Sequence, residues 1–252
     1  MRFCSLGSGS RGNGLLVEHG RTRLLVDCGF TLREVKRRLE RAGIAPDSLS
    51  GILVTHEHSD HASGVGPLAR KYRIPVWMTL GTARRLNETL PSVKVFNCHE
   101  PFAVDDVAVD PFPVPHDARE PAQFVFHDGA HRLGLLTDTG SGTPHIVRQL
   151  DAVDALVLEC NYDEHMLAEG PYPPALKRRV GGRFGHLSNV QAAAILCAMD
   201  HSRLQHLVGA HLSEKNNVPA LARAALAEAL DCTEDWITLA EQDAGFGWRA
   251  IM

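Results

Sequence analysis

Short apolar runs, each bounded by turn residues, recur along the chain and set its expected elements. A strand over the first residues feeds a Gly/Ser-rich turn at 8–14. Leu15-Leu16-Val17 and Leu24-Leu25-Val26 are joined across His19-Gly20-Arg21, a spacing that predicts a β-hairpin. Thr31-x-x-Glu34 is a capping-box pattern, and Leu32, Val35, Leu39 and Ala42 share one face of the helix it opens, closed by Gly43. Arg33, Lys36, Arg37, Arg38 and Arg41 fill the opposite face, which reads as solvated. Ile52-Leu53-Val54 reads as a buried strand, followed by a helix over 64–72, a strand at 76–78, a helix over 81–90 and a strand at 93–96. Further strands are expected at 107–109, at 124–126 and 133–136 across Asp128-Gly129, and at 155–158, before a Pro/Gly-rich loop. Ser188-x-x-Gln191 opens a helix to 199; a strand at 207–209, a helix over 219–230 and strands near 237–239 and 247–249 complete the pattern. Hairpins mixed with α/β alternation in both halves predict two sheets packed face to face with helices outside.

Composition narrows the class. The 252 residues are enough for one large domain with a sizeable core, and the absence of a repeat or a linker favours one domain over 1–252. Neither a secretion-type leader nor an apolar run of membrane-spanning length is evident, so no membrane partner and a cytoplasmic location are expected. The 6 cysteines are dispersed without a C-x-x-C pair, as in a reduced protein; Cys28 and Cys160 read as buried, inert thiols. A net charge of −4 excludes a globally basic nucleic-acid binder, so any polyanion must meet a local patch or metal. The unusual component is histidine, with 14 residues.

These histidines converge at one place above all. His56-x-His58-x-Asp60-His61 sets four ligand types within six residues at the end of an apolar strand. Extended backbone puts His56 and His58 on one side, and the following turn offers Asp60 and His61 to a neighbouring ion. Imidazole and carboxylate suit Zn²⁺ and, with more oxygen, Mn²⁺. Two ions need further ligands, and His116, Asp138 and His211 stand beside strand ends. Singly, each reads as well as a cap or turn residue. Glu159 and His186 form a candidate proton-transfer pair, in which the carboxylate fixes one imidazole nitrogen and raises the basicity of the other; Glu159 reads equally as a structural acceptor. Lys177, Arg178, Arg179 and Arg183, four cations in seven residues, suit a phosphate clamp or a solvated basic turn. The loop holding Ser8 and Asn13 could offer backbone N–H groups to an anion or be a plain tight turn.

Thr55-His56-x-His58-x-Asp60-His61, preceded by Leu24-Leu25-Val26-Asp27-Cys28-Gly29, resembles the signature of the metallo-β-lactamase-fold hydrolases over essentially the whole chain. Ser8-Gly9-Ser10-x-Gly12-Asn13, Leu158-Glu159-Cys160-Asn161-Tyr162-Asp163, Tyr172-Pro173, Gly185-His186-Leu187-Ser188-Asn189 and His211-Leu212-Ser213-x-x-Asn216-Asn217 resemble the small bacterial YycJ/WalJ-type exonuclease and phosphodiesterase family. The resemblance implies an α/β (α+β) fold, a four-layer αββα sandwich with the site at one sheet edge. It implies that His56, His58 and His116 bind a first ion, that Asp60, His61 and His211 bind a second, and that Asp138 bridges them. Glu159 and His186 also resemble the proton-relay pair of ribonuclease Z, whose last metal ligand His211 resembles. No room exists between Asp138 and His186 for the large inserted domain of the β-CASP nucleases.

The implied activity is dinuclear phosphodiester hydrolysis of nucleic acid, DNA favoured over RNA, as a 5′→3′ exonuclease. Two divalent ions, Zn²⁺ or Mn²⁺, would hold a bridging hydroxide as nucleophile near Asp60, with Glu159-His186 protonating the leaving oxygen. Asp27 would support the ligand loop from behind. The alternatives are a glyoxalase II-like thioester or lactone hydrolase and a non-catalytic, metal-stabilised binding module. A dimer would be compatible with the sequence, which fixes no oligomeric state.

Overall fold

A computed structural model describes residues 1–252. The first half builds β1 (Arg2–Gly7), β2 (Gly14–His19), β3 (Thr22–Val26), β4 (Gly51–Leu53), β5 (Val76–Thr79) and β6 (Val93–Phe96). The second builds β7 (Phe102–Val104), β8 (Val107–Pro113), β9 (Ala122–His127), β10 (Arg132–Leu136), β11 (Ala155–Glu159), β12 (His206–Ala210) and β13 (Thr238–Leu239). The last strand, β14 (Phe246–Ala250), returns to the first sheet and pairs antiparallel with β1, Arg2 opposite Ala250. The sheets have seven strands each, ordered β14-β1-β2-β3-β4-β5-β6 and β13-β12-β11-β10-β9-β8-β7. Both are mixed: β3 to β6 and β10 to β13 run parallel, and the hairpins together with the β1–β14 pair supply the antiparallel remainder.

Alternation along the strands explains the layering. Leu24 and Val26 of β3 join Leu133, Leu135 and Val157 in a core between the sheets. Leu25 turns the other way, to pack with Val35, Leu39 and Leu68 of helices α1 (Leu32–Arg41) and α3 (Val65–Tyr72), which flank the single-turn α2 (Ser59–Ala62). Leu156 and Leu158 of β11 likewise pack with residues of α5 (Pro144–Leu150), α8 (Asn189–Ala198) and α9 (Pro219–Leu230). A strand buried on both faces must be apolar throughout, which is why these runs lacked a polar partner at every second position. The arrangement is the αββα sandwich that the sequence led us to expect.

Several local expectations change. Helix α4 (Leu80–Leu86) ends short of 90 because Asn87 takes a left-handed conformation, φ 48°, and caps it. The strand expected at 107–109 runs on through Pro111 to Pro113. This is tolerated because β7 pairs with β8 only over Val107 to Val109, leaving the prolines on an open edge. The segment after β11 contains α6 (Glu164–Glu169) and α7 (Pro174–Val180), each opening at a residue suited to the first turn. The basic face of α1 is only partly solvated. The Arg38 side chain is 5% exposed and donates to the carbonyls of Leu6, Gln242 and Asp243 at 2.6, 3.0 and 3.0 Å, tying the β1 end to the segment before β14.

Candidate metal centre

The strand ends meet at one edge of the sandwich. His56 lies beyond β4, His58 precedes α2, and Asp60 and His61 lie in α2. His116, Asp138 and His211 follow β8, β10 and β12, and Glu159 is the last residue of β11. Asp27, Asp138 and His211 take positive φ angles of 60°, 51° and 55°. Asp and His enter this region more readily than bulky residues do, yet each such residue costs roughly 1 kcal/mol or more and persists where its surroundings hold it. Here the reversal comes one residue after β3 and β12 end and two residues after β10 ends. Gly29 permits the remaining approach: a Cβ there would lie 1.7 Å from the Asp60 carbonyl oxygen.

The ligand atoms gather into overlapping groups, His56-His58-His116, His56-His61-Asp138 and Asp60-His61-His211, each within 4.8 Å. His58 Nδ1 lies 3.0 Å from His56 Nε2 and 3.3 Å from His116 Nε2. Asp60 Oδ2 lies 3.4 Å from both His61 Nε2 and His211 Nε2. Asp138 stands between the groups, Oδ2 at 3.1 Å from His61 Nε2, Oδ1 at 3.6 Å from His211 Nε2 and 4.0 Å from His116 Nε2. Zinc–nitrogen bonds of about 2.0–2.1 Å in a tetrahedron set ligand atoms roughly 3.3 Å apart. Moreover, Asp138 Oδ2 is buried and makes no hydrogen bond of acceptable geometry, despite its closeness to His61. A carboxylate and an imidazole that approach without bonding are aimed at a common third point. The residues present therefore fit a pair of divalent ions.

Hydrogen bonds behind the ligands fix their orientation, as expected of metal-binding imidazoles. Asp27 accepts from Thr55 N–H and Oγ1–H, both at 2.8 Å, and its Oδ2 lies 2.8 Å from His61 Nδ1. Thr55 Oγ1 is also 2.9 Å from His56 Nδ1, so one aspartate orders both rings. His116 Nδ1 lies 3.0 Å from the Gly185 carbonyl oxygen, and Asn161 donates to the His211 carbonyl at 2.8 Å.

Electrostatics separates the two groups. Burial, reinforced by the His61 charge, holds His56 well below the usual imidazole range; burial also lowers His116. For His61 and His211 burial acts in the same direction but is outweighed. Asp138, Asp60 and Asp27 hold the His61 proton well above its ordinary range, and Asp138, Asp60 and Glu159 push His211 up to about 10.

Glu159 and His186 also meet. Glu159 Oε1 is 2.7 Å from His186 Nδ1, while Oε2 accepts from Thr139 N–H at 3.0 Å and Leu187 N–H at 3.2 Å. Burial disfavours both charges, but their attraction prevails, lowering Glu159 and raising His186. The His186 side chain is 20% exposed, whereas Glu159 is fully buried. This is a fixed acceptor behind a ring open to the cleft.

The other expected positions divide. Ser8 and Asn13 are buried behind the ligands: Ser8 Oγ accepts from His211 N–H at 2.9 Å, and Asn13 Nδ2 donates to the Asp60 carbonyl at 3.2 Å. The four cations are not a single patch, because consecutive residues on α7 point in different directions. Arg179 Nε reaches Asp117 Oδ2 at 2.6 Å, Lys177 instead donates to the Ala168 carbonyl, and Arg178 and Arg183 are exposed. Cys28 and Cys160 are buried, and desolvation pushes the Cys28 thiol up to about 12 and the Cys160 thiol higher. Asp117, whose Oδ1 lies 3.6 Å from His116 Nε2, has adjacency to that candidate ligand as its one signal in the sequence, whereas Thr55 and Asn161 stand in the family motifs without a role of their own.

Comparison with known proteins agrees with this geometry. A family described as "Beta-lactamase superfamily domain" matches residues 22–211. The chain is 36% identical over 236 residues to Exodeoxyribonuclease YycJ of Bacillus anthracis, covering 92% of this chain and 89% of that protein. It is 32% identical over 236 residues to Exodeoxyribonuclease WalJ of Streptococcus pneumoniae, covering 91% and 88%. The metallo-β-lactamase fold protein YhfI from Bacillus subtilis superposes with a TM-score of 0.78 at 18% identity, covering 98% of each chain, and so shares the fold. The chain belongs to the beta-lactamase superfamily and, within it, to the family of YycJ and WalJ, as a metal-dependent hydrolase.

Proposed function

We propose that residues 1–252 act as one domain, a dinuclear-metal phosphodiesterase that degrades DNA as a 5′→3′ exonuclease. The observation carrying this reading is the Glu159-His186 contact of 2.7 Å beside two ligand groups that meet at Asp138. The names of the two curated relatives support DNA as substrate. His56, His58 and His116 would hold one ion, Asp60, His61 and His211 the other, and Asp138 both. Divalent ions such as Zn²⁺ or Mn²⁺, when bound, supply an activated water and neutralise phosphate charge.

The chain's own residues do the rest. Asp27 and Thr55 keep the ligand rings in their tautomer and orientation. Glu159 holds the proton on His186 Nδ1, so Nε2 faces the cleft and delivers a proton to the departing sugar oxygen. A leaving alkoxide needs that proton far more than a thiolate does, which favours phosphodiester over thioester hydrolysis. Arg178 and Arg183 meet flanking phosphates; Lys177 is committed to α6 and Arg179 to Asp117, and Ser8 and Asn13 support ligands rather than substrate. Unpaired cysteines suit the reducing cytoplasm.

The test is metal-quantified turnover of 5′-labelled duplex DNA, single-stranded DNA, structured RNA and a glutathione thioester. Stepwise 5′ products from the duplex are expected. Rapid thioester turnover without phosphodiester cleavage overturns the reading.

A further inference from the structure

The chain has nine phenylalanines, and one departs from the rest. Phe3, Phe30, Phe96, Phe112, Phe124, Phe126 and Phe246 lie in the core, whereas Phe184 is 60% exposed. It stands two residues before His186, with the exposed Arg183 beside it in the chain, and its backbone meets Asp117, which lines the cleft at His58. An apolar ring left in water loses the favourable burial that places such residues inside.

The backbone that carries this ring is held on every side. The Phe184 carbonyl accepts from Asp117 N–H at 3.0 Å, next to the candidate ligand His116. The Arg183 carbonyl accepts from Ser141 Oγ at 3.3 Å. Gly185 N–H donates to Gly182 at 2.8 Å, its carbonyl lies 3.0 Å from His116 Nδ1, and His186 N–H donates to Val180 at 2.8 Å. A Cβ on Gly185 would lie 2.2 Å from the carbonyl oxygens of Arg179 and Val180, so this close approach requires glycine. Phe184 is therefore an exposed aromatic on a rigid support rather than a loose residue on a mobile loop.

Resting on the nucleic-acid reading above, we propose that Phe184 is a base-stacking residue. A nucleobase of the strand being cleaved lies against its ring and thereby sets the scissile phosphate between the ligand groups and His186. Every base has a π-face, so such a contact holds a strand without reading its sequence, while an adjacent cation meets the backbone. Arg183 occupies that adjacent position. A base inside a duplex cannot be reached in this way, so the stacked base belongs to a frayed end or a single-stranded segment, consistent with attack from a terminus.

The experiment combines Phe184 variants with abasic substitution in metal-loaded protein. Phe184→Ala is expected to raise KM for DNA about tenfold, the scale of losing one stacked base, and Phe184→Trp to restore it. A tetrahydrofuran abasic residue is then placed in turn at each of the first few positions from the cleaved end. At one position the difference between wild-type and Phe184→Ala protein should vanish, because base and ring form one contact. In parallel, 2-aminopurine at that position should lose fluorescence on binding the wild-type but not the variant. The same penalty at every abasic position, or a variant that dissociates an oligomer while leaving DNA affinity intact, overturns the inference alone. Wild-type protein that turns over no nucleic acid overturns the phosphodiesterase reading and this inference together.

Discussion

The two ligand groups sit side by side yet differ in charge. His56, His58 and His116 are imidazoles, and burial keeps His56 and His116 neutral. Their nearest carboxylate outside Asp138 is Asp117, whose charge is matched by Arg179 at 2.6 Å. Asp60, His61 and His211 instead combine a carboxylate with two rings whose protons it helps to retain. A cation meets neutral rings at His56 and His116, whereas at His61 and His211 it must expel protons. One sheet edge thus builds two unlike sites, and the residue common to both, Asp138, is where the distinction should be hardest to preserve.

Asp138→Ala is the most severe test. It removes a ligand from both groups and leaves His61 and His211 without their strongest opposing charge. Phosphodiester turnover should fall on the order of 10⁴-fold, several kcal/mol of lost charge stabilisation. Metal analysis should show the ion at Asp60, His61 and His211 lost before the ion at the histidine trio. Retention of two ions with ordinary turnover breaks the comparison.

His186→Ala should separate chemistry from binding. Because Glu159 Oε2 stays anchored by the Thr139 and Leu187 amides, the carboxylate has no reason to collapse into the ligand groups. Two ions should remain, while turnover falls about 10²–10³-fold, the range for one general acid. Metal loss in this variant would make His186 a ligand and redraw the second group around it.

Asp27→Asn probes both groups from behind. Asp27 orders His61 directly and His56 through Thr55, so its effect should divide unequally. Metal affinity should drop about 10–100-fold, as for other partners of ligand histidines. The Asp60-His61-His211 group should suffer more, because its contact with Asp27 is direct. Equal weakening, measured by competition with a chelator, would show that Thr55 transmits the effect undiminished.

These contrasts were unevenly legible beforehand. The His56 to His61 loop declares itself because its ligands are close in sequence and follow an apolar strand. His116, Asp138 and His211 are single residues, and resemblance to a known family supplied what spacing could not. For Asp138 and His211 a left-handed backbone is the physical reason that local pattern is silent: it acts through one dihedral just past a strand end. The roles of Asp117, Thr55 and Asn161 stay unreadable in the sequence because they are contacts to neighbours whose placement depends on the folded sheets. By contrast, Pro173-Pro174 did carry a helix-start signal that the Pro/Gly-rich loop reading overlooked. The basic face of α1 misled for a different reason, because Arg38 is buried and finds carbonyl partners more than 200 residues away in sequence.

The gentlest test is pH, and it acts on the intact protein. In the metal-free state the carboxylates hold the His211 proton up to about pH 10, and His61 is shifted the same way. Those protons are present throughout the neutral range and must leave when an ion enters. His56 and His116 shift in the opposite direction, so burial keeps both rings unprotonated near neutrality. Lowering the pH by one unit should therefore weaken the second group about tenfold for each proton displaced, with little change in the first. Titration with metal against a competing chelator should show two equivalents bound in mild alkali and one in mild acid, and a pH-indicator dye should record proton release with the weaker ion only. Loss of both ions together, or proton release with the tighter one, would mean that Asp138 couples the groups so strongly that they bind as a unit.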